Sequence, residues 1–211
     1  MELVRLNHPK DLPVNSEVAN WIAAQFPANY RGFCIDVGAS DGKFVNSTWC
    51  LEKERMWTVL SVEANPYLKD VLTDERVWVE MCAVSSEPAN NVDFHMNLDN
   101  LEACSALNPM RKHERFKQES GTRWDIVKVN VRTLDQLLSK WDFPRLDALC
   151  VDVEGGEREV LKGLDWKRWG PRAVLVECWD RGGLDDVLVP LGYDRVYNSA
   201  DNDGYVVRED K

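Results

Sequence analysis

The stretch Phe33-Cys-Ile-Asp-Val-Gly-Ala-Ser-Asp-Gly42 reads as an apolar strand that runs straight into a glycine-bearing turn. A near-continuous apolar run is what a strand covered on both faces requires. The spacing then predicts a helix from about Ser47 to Glu54, so the chain passes from strand to turn to helix. In open α/β sheets, ligands bind at such turns, beyond the carboxyl ends of parallel strands. The spacing is DxGxxxG, with acids at Asp36 and Asp41, and not the GxGxxG that cradles a pyrophosphate. Two carboxylates here disfavour a pyrophosphate and tolerate a ligand with an ammonium or sulfonium centre. A turn of this kind also occurs as a purely structural device.

The next strand, Thr58–Glu63, ends on an acid. An acid at that place can accept hydrogen bonds from both ribose hydroxyls, or it can simply be solvated. Taken with the turn, Glu63 points to an adenosine-containing cofactor. A third strand is read over Val77–Val84, a fourth over Leu146–Asp152, and a further one over Ala173–Glu177. A helix from about Glu157 to Leu164 lies between the last two. Apolar strands alternating with helix-period segments predict an α/β doubly wound sheet, mostly parallel. Val92–His95 and Ile126–Val131 alternate apolar with polar residues, which predicts an antiparallel insertion between the third and fourth core strands. The polar stretch from about Asn100 to Trp124 is expected to act as a mobile lid. Thr133-Leu-Asp-Gln136 reads as a capping box. Tyr193–Tyr197 and Gly204–Arg208 read as a closing hairpin, its turn at or near Asn202–Gly204. Residues 1–28 form a helical lead-in, its helix capped by Ser16, and residues 29–211 a single domain.

The 211 residues are 44% hydrophobic and 29% charged, a globular balance, and the net charge is −10. That charge argues against nucleic acid as a partner, because phosphate contacts need clustered basic surface. No apolar run reaches the ~18 residues of a membrane span, and the charged N-terminus is unlike a signal peptide. Six cysteines without a CxxC pair suggest a reduced, cytoplasmic protein.

Asp152-Val-Glu-Gly-Gly-Glu157 crowds three carboxylates at a strand's C-terminal end, and Glu177 ends the following strand. Asp152 and Glu177 are candidates to hold a hard cation such as Mg²⁺, or one of them to act as a general base. Glu154 and Glu157 fit a plainer role at a helix N-terminus. His8, His95 and His113 are isolated and read as surface or fold residues. The run Arg111–Arg115 is either a solvated face or a grip on an anionic or sugar acceptor.

Several blocks in order resemble the FkbM-type methyltransferases. They are Phe33–Gly42, Val45–Thr48, Leu51–Glu54, Val62–Pro66, Cys82–Ser85, Val131–Asp135, Asp147–Glu157, Val160–Gly163 and Val176–Glu177. The resemblance covers about residues 31–180, with Ser40-Asp41 and Gly156 as mild departures. It implies a class I methyltransferase (Rossmann-like) fold of seven strands with an antiparallel last strand. It also implies S-adenosylmethionine as methyl donor and a hydroxyl of a sugar, glycan or small metabolite as acceptor. Carried over by motif, Asp36, Gly38, Ala39 and Gly42 would hold the methionine part and Glu63 the ribose. Ala83 and Val84 would flank the adenine, and Ser40, Asn46, Ser47 and Ala64 would complete the cofactor set. Asp152 would lie near the transferred methyl group as the catalytic residue. Two other readings stay open: a nicotinamide-dependent oxidoreductase on a similar sheet, and a non-catalytic domain that only binds a nucleoside cofactor.

Overall fold

A computed structural model describes residues 16–44, 46–98, 105–107, 123–178, 183–199 and 201–209. The stretch that opens the sequence analysis forms the central strand, β1 (Phe33–Val37), paired in parallel with β2 (Thr58–Glu63) and β7 (Ala148–Val151). Beyond β2 lies β3 (Trp78–Met81), and beyond β7 lies β8 (Ala173–Glu177), both again parallel. The closing pair, β9 (Tyr193–Asn198) and β10 (Asn202–Val207), completes a seven-stranded sheet of order β3-β2-β1-β7-β8-β10-β9. Only β10 runs against its neighbours, β8 and β9.

Alternate residues of each strand point to opposite faces, and both faces are covered. Ile35, Val37, Leu149 and Val174 pack against helices α4 (Leu134–Lys140) and α5 (Glu157–Lys162). Cys34, Val59, Ala148 and Leu175 pack on the other face against α1 (Ser16–Ala24) and α2 (Trp49–Lys53). Trp21 of α1 also stacks on Tyr197 of β9 at 5.2 Å, and the Tyr197 hydroxyl bonds Glu17 at 3.3 Å. A turn of 3-10 helix at Pro66–Leu68 leads into α3 (Lys69–Glu75), and two short helices, α6 (Trp166–Trp169) and α7 (Asp185–Leu188), flank β8. Among the described residues no helix is long and apolar enough to cross a membrane.

The structure departs from the sequence reading in two places. The run Val77–Val84 is not one strand: it changes sheet at Cys82. β3 stays beside β2, while β4 (Ala83–Val84) pairs in parallel with β6 (Trp124–Arg132) of a second sheet. β6 in turn pairs antiparallel with β5 (Ala89–Asn97), as the insertion was expected to do. Ala83 has left the main core to pack with Phe94, Met96, Val129 and Val131 of the small sheet. An apolar run looks the same whichever core it feeds. The second departure is at the hairpin, where Ser199 N–H donates to Asn202 O at 2.8 Å, so Asn202–Gly204 lies near the turn but not in it. Asn202–Gly204 instead belongs to β10. Asp203 there is buried and bonded by Asn198 Nδ2 at 2.6 Å, and a Cβ on Gly204 would lie 2.6 Å from the Trp21 ring. The glycine serves close packing, not a turn.

The capping box at the start of α4 is complete. Thr133 Oγ1 accepts from Gln136 N–H at 3.2 Å, and Gln136 Oε1 accepts from Thr133 N–H at 3.2 Å. Thr133→Ala is expected to cost about 1 kcal/mol of stability, read as a lower urea midpoint at unchanged slope.

Candidate functional site

The C-terminal edge of the parallel strands opens onto a cavity of about 460 Å³. Its first wall is the turn after β1. Gly38, Ser40 and Gly42 take positive φ (87°, 52° and 85°), which folds the chain back over the sheet edge. Gly38 and Ala39 N–H both donate to Val62 O, at 2.9 and 3.1 Å. A Cβ on Gly38 would meet the Asp152 carbonyl oxygen at 1.7 Å, so no other residue fits without moving β7. Asp152 N–H donates back to Val37 O at 2.9 Å, which locks the turn to the end of β7.

Glu63 closes the second wall. Its Oε2 accepts from Ser40 N–H at 2.9 Å and its Oε1 from Asn65 N–H at 2.7 Å. Burial pushes its carboxyl above the usual carboxylate range, against the pull of those amides and helped by the charge of Asp36. Asp36 is buried, and its Oδ2 accepts from Thr48 Oγ1 at 2.7 Å and Asn46 Nδ2 at 2.9 Å. Asp41 bends back instead, its Oδ1 accepting Lys43 and Phe44 N–H at 2.8 Å each, so it shapes the turn.

Every other expected contact residue is also brought to this cavity, with one exception. Asn46 and Ser47 line it beside Asp36, and Ala64, Ala83 and Val84 line its apolar end with Leu68 and Phe94. Gly42 does not line it; a Cβ there would press on Leu72 and Arg76, so the glycine makes room for packing. Cys82 lies at the apolar end, where burial pushes its thiol up to about 12 and leaves it unreactive.

Asp152, Glu154 and Glu177 meet at the other end, offering carboxylate oxygens within 4.8 Å of one another. Asp152 keeps exposed surface where it lines the cavity, yet protein packs closely enough around it to desolvate its carboxyl. Its carboxyl is held well above the usual range, first by that desolvation and then by the charge and hydrogen bond of Glu177 and the charge of Glu154. Glu154 occupies a left-handed backbone position, φ 59°. Glu157 folds onto its own loop, its Oε1 accepting Gly155 N–H at 2.7 Å, the plainer of its two roles. Asp147, at the opposite end of β7, accepts from Phe33 N–H and the Tyr30 hydroxyl and serves the fold. His95 pairs through its backbone with Ala106 and does not line the cavity. His8, His113, Arg111–Arg115 and most of the expected lid lie outside the described residues.

Two contributors escape the sequence reading. Phe94 was legible only as the buried phase of an alternating strand. Arg76 gave no signal at all: it follows an acid at a helix end, yet its side chain is wholly buried behind Asp36.

Comparison with known proteins shows the family and a shared fold. Residues 36–188 match the family described as the methyltransferase FkbM domain. The chain is 30% identical over 203 residues to methyltransferase sdnD of Sordaria araneosa, covering 83% of this chain and 76% of that one. It also superposes on the crystal structure of methyltransferase FkbM from Methylobacillus flagellatus with a TM-score of 0.53 at 15% identity. That likeness, of fold alone, takes in 83% of this chain but only 43% of the longer Methylobacillus protein. With a family match that runs from the acid of the first turn through Asp152 to the end of α7, the chain belongs to the FkbM methyltransferase family.

Proposed function

We propose that the protein transfers a methyl group from S-adenosylmethionine to a hydroxyl of a small metabolite, sugar or glycan. The observation that supports this best is Glu63, pinned by two backbone amides so that its carboxylate lines the cavity between the β1 turn and an apolar slot. Each carboxylate oxygen keeps lone-pair capacity to accept a ribose hydroxyl. The chemistry of the cavity fits the rest of the cofactor. Ala64, Leu68, Ala83, Val84 and Phe94 suit a purine face, and Ser40 Oγ is buried beside the turn without a partner among the described residues. Gly38, Ala39, Asn46 and Ser47 would surround the methionine part.

When bound, the cofactor supplies a methyl carbon made electrophilic by sulfonium. The protein's own part is to align the acceptor and to take its proton. Asp152 lining the cavity supports that role, and its raised affinity for protons makes it a stronger base than an ordinary carboxylate. A second reading, favoured by the three converging carboxylates, has Asp152 and Glu177 hold Mg²⁺, which would acidify the hydroxyl. Membership of a methyltransferase family sets aside the nicotinamide alternative.

Calorimetry with S-adenosylhomocysteine tests the donor site. Glu63→Ala is expected to lose roughly 1.5–3 kcal/mol, about ten- to a hundredfold in affinity. Unchanged affinity would remove Glu63 from the site. Labelled donor offered to a panel of neutral sugars and hydroxylated metabolites tests turnover. Asp152→Asn should bind cofactor nearly normally and turn over roughly a hundredfold more slowly. Loss of activity with EDTA and its return with Mg²⁺ would select the metal reading, and full activity of Asp152→Asn would exclude both.

The pH dependence has a definite sign. A carboxyl whose proton affinity is raised by folding favours the folded state while protonated, and that contribution is lost as pH rises through the folded value. The ligand-free wild type should therefore lose stability relative to Asp152→Asn from about pH 4 upward, with a constant gap once Asp152 is ionised. Melting curves over that range measure it. A wild type that gains stability relative to Asp152→Asn as pH rises would contradict the raised value.

A further inference from the structure

Behind the cavity wall, outside the lining, sits Arg76 at the end of α3, its side chain without exposed surface. Its guanidinium reaches five groups. Nε donates to Glu52 Oε2 at 2.6 Å, Nη1 to Gly42 O at 3.0 Å and Asn46 Oδ1 at 3.1 Å, and Nη2 to Thr48 Oγ1 at 2.9 Å. Nη1 also lies 3.8 Å from Asp36 Oδ2. Two of these partners, Asp36 and Asn46, line the cavity, and Asn46 Nδ2 bonds both Asp36 Oδ2 and Ala39 O. Thr48 passes the restraint on, donating to Asp36 at 2.7 Å. Glu52 fixes the guanidinium from behind, and its other oxygen accepts Val77 N–H at 3.2 Å. Neither Arg76 nor Glu52 touches the cavity.

We propose that Arg76 is the positioning residue of the donor site, a rigid fork that fixes Asp36, Gly42, Asn46 and Thr48 around the methionine part of the cofactor. The inference rests on the donor assignment made above. A planar guanidinium spreads five donors over three nitrogens in one rigid fork and so reaches Glu52, Gly42, Asn46 and Thr48 together; a lysine carries the charge on a single nitrogen, without the fork. Its partners are all on the β1 turn and α2 side. Glu63 and the apolar slot, which would serve ribose and adenine, receive none of its bonds.

That asymmetry makes the role separable from general stability. S-adenosylhomocysteine carries the amino-acid tail, and 5′-methylthioadenosine lacks it. Calorimetry on the full chain is expected to show affinity for S-adenosylhomocysteine falling about tenfold or more in Arg76→Met, since misplacement of a supporting group by ~1 Å suffices for such losses. Affinity for 5′-methylthioadenosine should stay within about twofold of wild type, and Arg76→Lys should fall between the two for the first ligand. Glu52→Gln, which loosens the fork from behind without approaching the cavity, should repeat the selective loss on a smaller scale. It carries the test if Arg76→Met does not fold. Equal loss for both ligands, or no loss for either, in a folded variant would overturn the positioning role. Failure of the wild type to bind S-adenosylhomocysteine would instead overturn the donor assignment itself.

Discussion

The ligand edge depends on one approach of backbone to backbone. Where β1 leaves the sheet, Gly38 passes so close to the Asp152 carbonyl that a single methyl substituent has no room. The approach is sealed by the hydrogen bond from Asp152 N–H to Val37 O. It ties together two chain segments far apart in sequence, the turn that would embrace the donor and the loop that bears the candidate base. Their spacing is thus set by the main chain, which is stiffer than any side chain. For a displacement that needs donor and acceptor in line, this is the tolerance that matters.

The second organising constraint is electrostatic. Asp36 and Glu63 lie near enough to feel each other's charge, and both are buried. The fold answers each differently. Glu63 receives backbone amides, whereas Asp36 receives side chains and the flank of a guanidinium. Asp152 is desolvated and sits against further acids, its hydrogen bond made with one of them, Glu177, and its proton affinity rises accordingly. Groups of one chemical type are thereby given different surroundings along a single cavity.

Much of this was legible in the sequence, for identifiable reasons. Near-continuous apolar runs marked β1, β2, β7 and β8, because strands covered on both faces must be apolar throughout. The turn glycines and Glu63 were legible because their positions follow from where strands end. What stayed hidden depends on contacts distant in sequence. The change of sheet at Cys82 leaves no trace in an apolar run. Asn202-Asp-Gly204 has turn composition, but Asp203 is claimed by Asn198 and Gly204 by Trp21. The four-residue helices at Trp166–Trp169 and Asp185–Leu188 are too short to show a period. Arg76 resembles any surface arginine until its partners are seen.

The seating of α1 has a consequence for how the chain assembles. Its Trp21 and Glu17 meet β9 and β10 near the far end of the sequence, the Glu17–Tyr197 contact spanning 180 residues. Closing so long a loop costs entropy that only late contacts return. During synthesis the first described helix is made early and can meet β1, β2 and α2, yet its docking surface is complete only once the last hairpin has emerged. Until then the sheet face holding Cys34, Ala148 and Leu175 lacks part of its cover. The contacts that join α1 to β9 and β10 are therefore expected to form late, and a nascent chain stalled before β10 would leave part of an apolar sheet face open to chaperones.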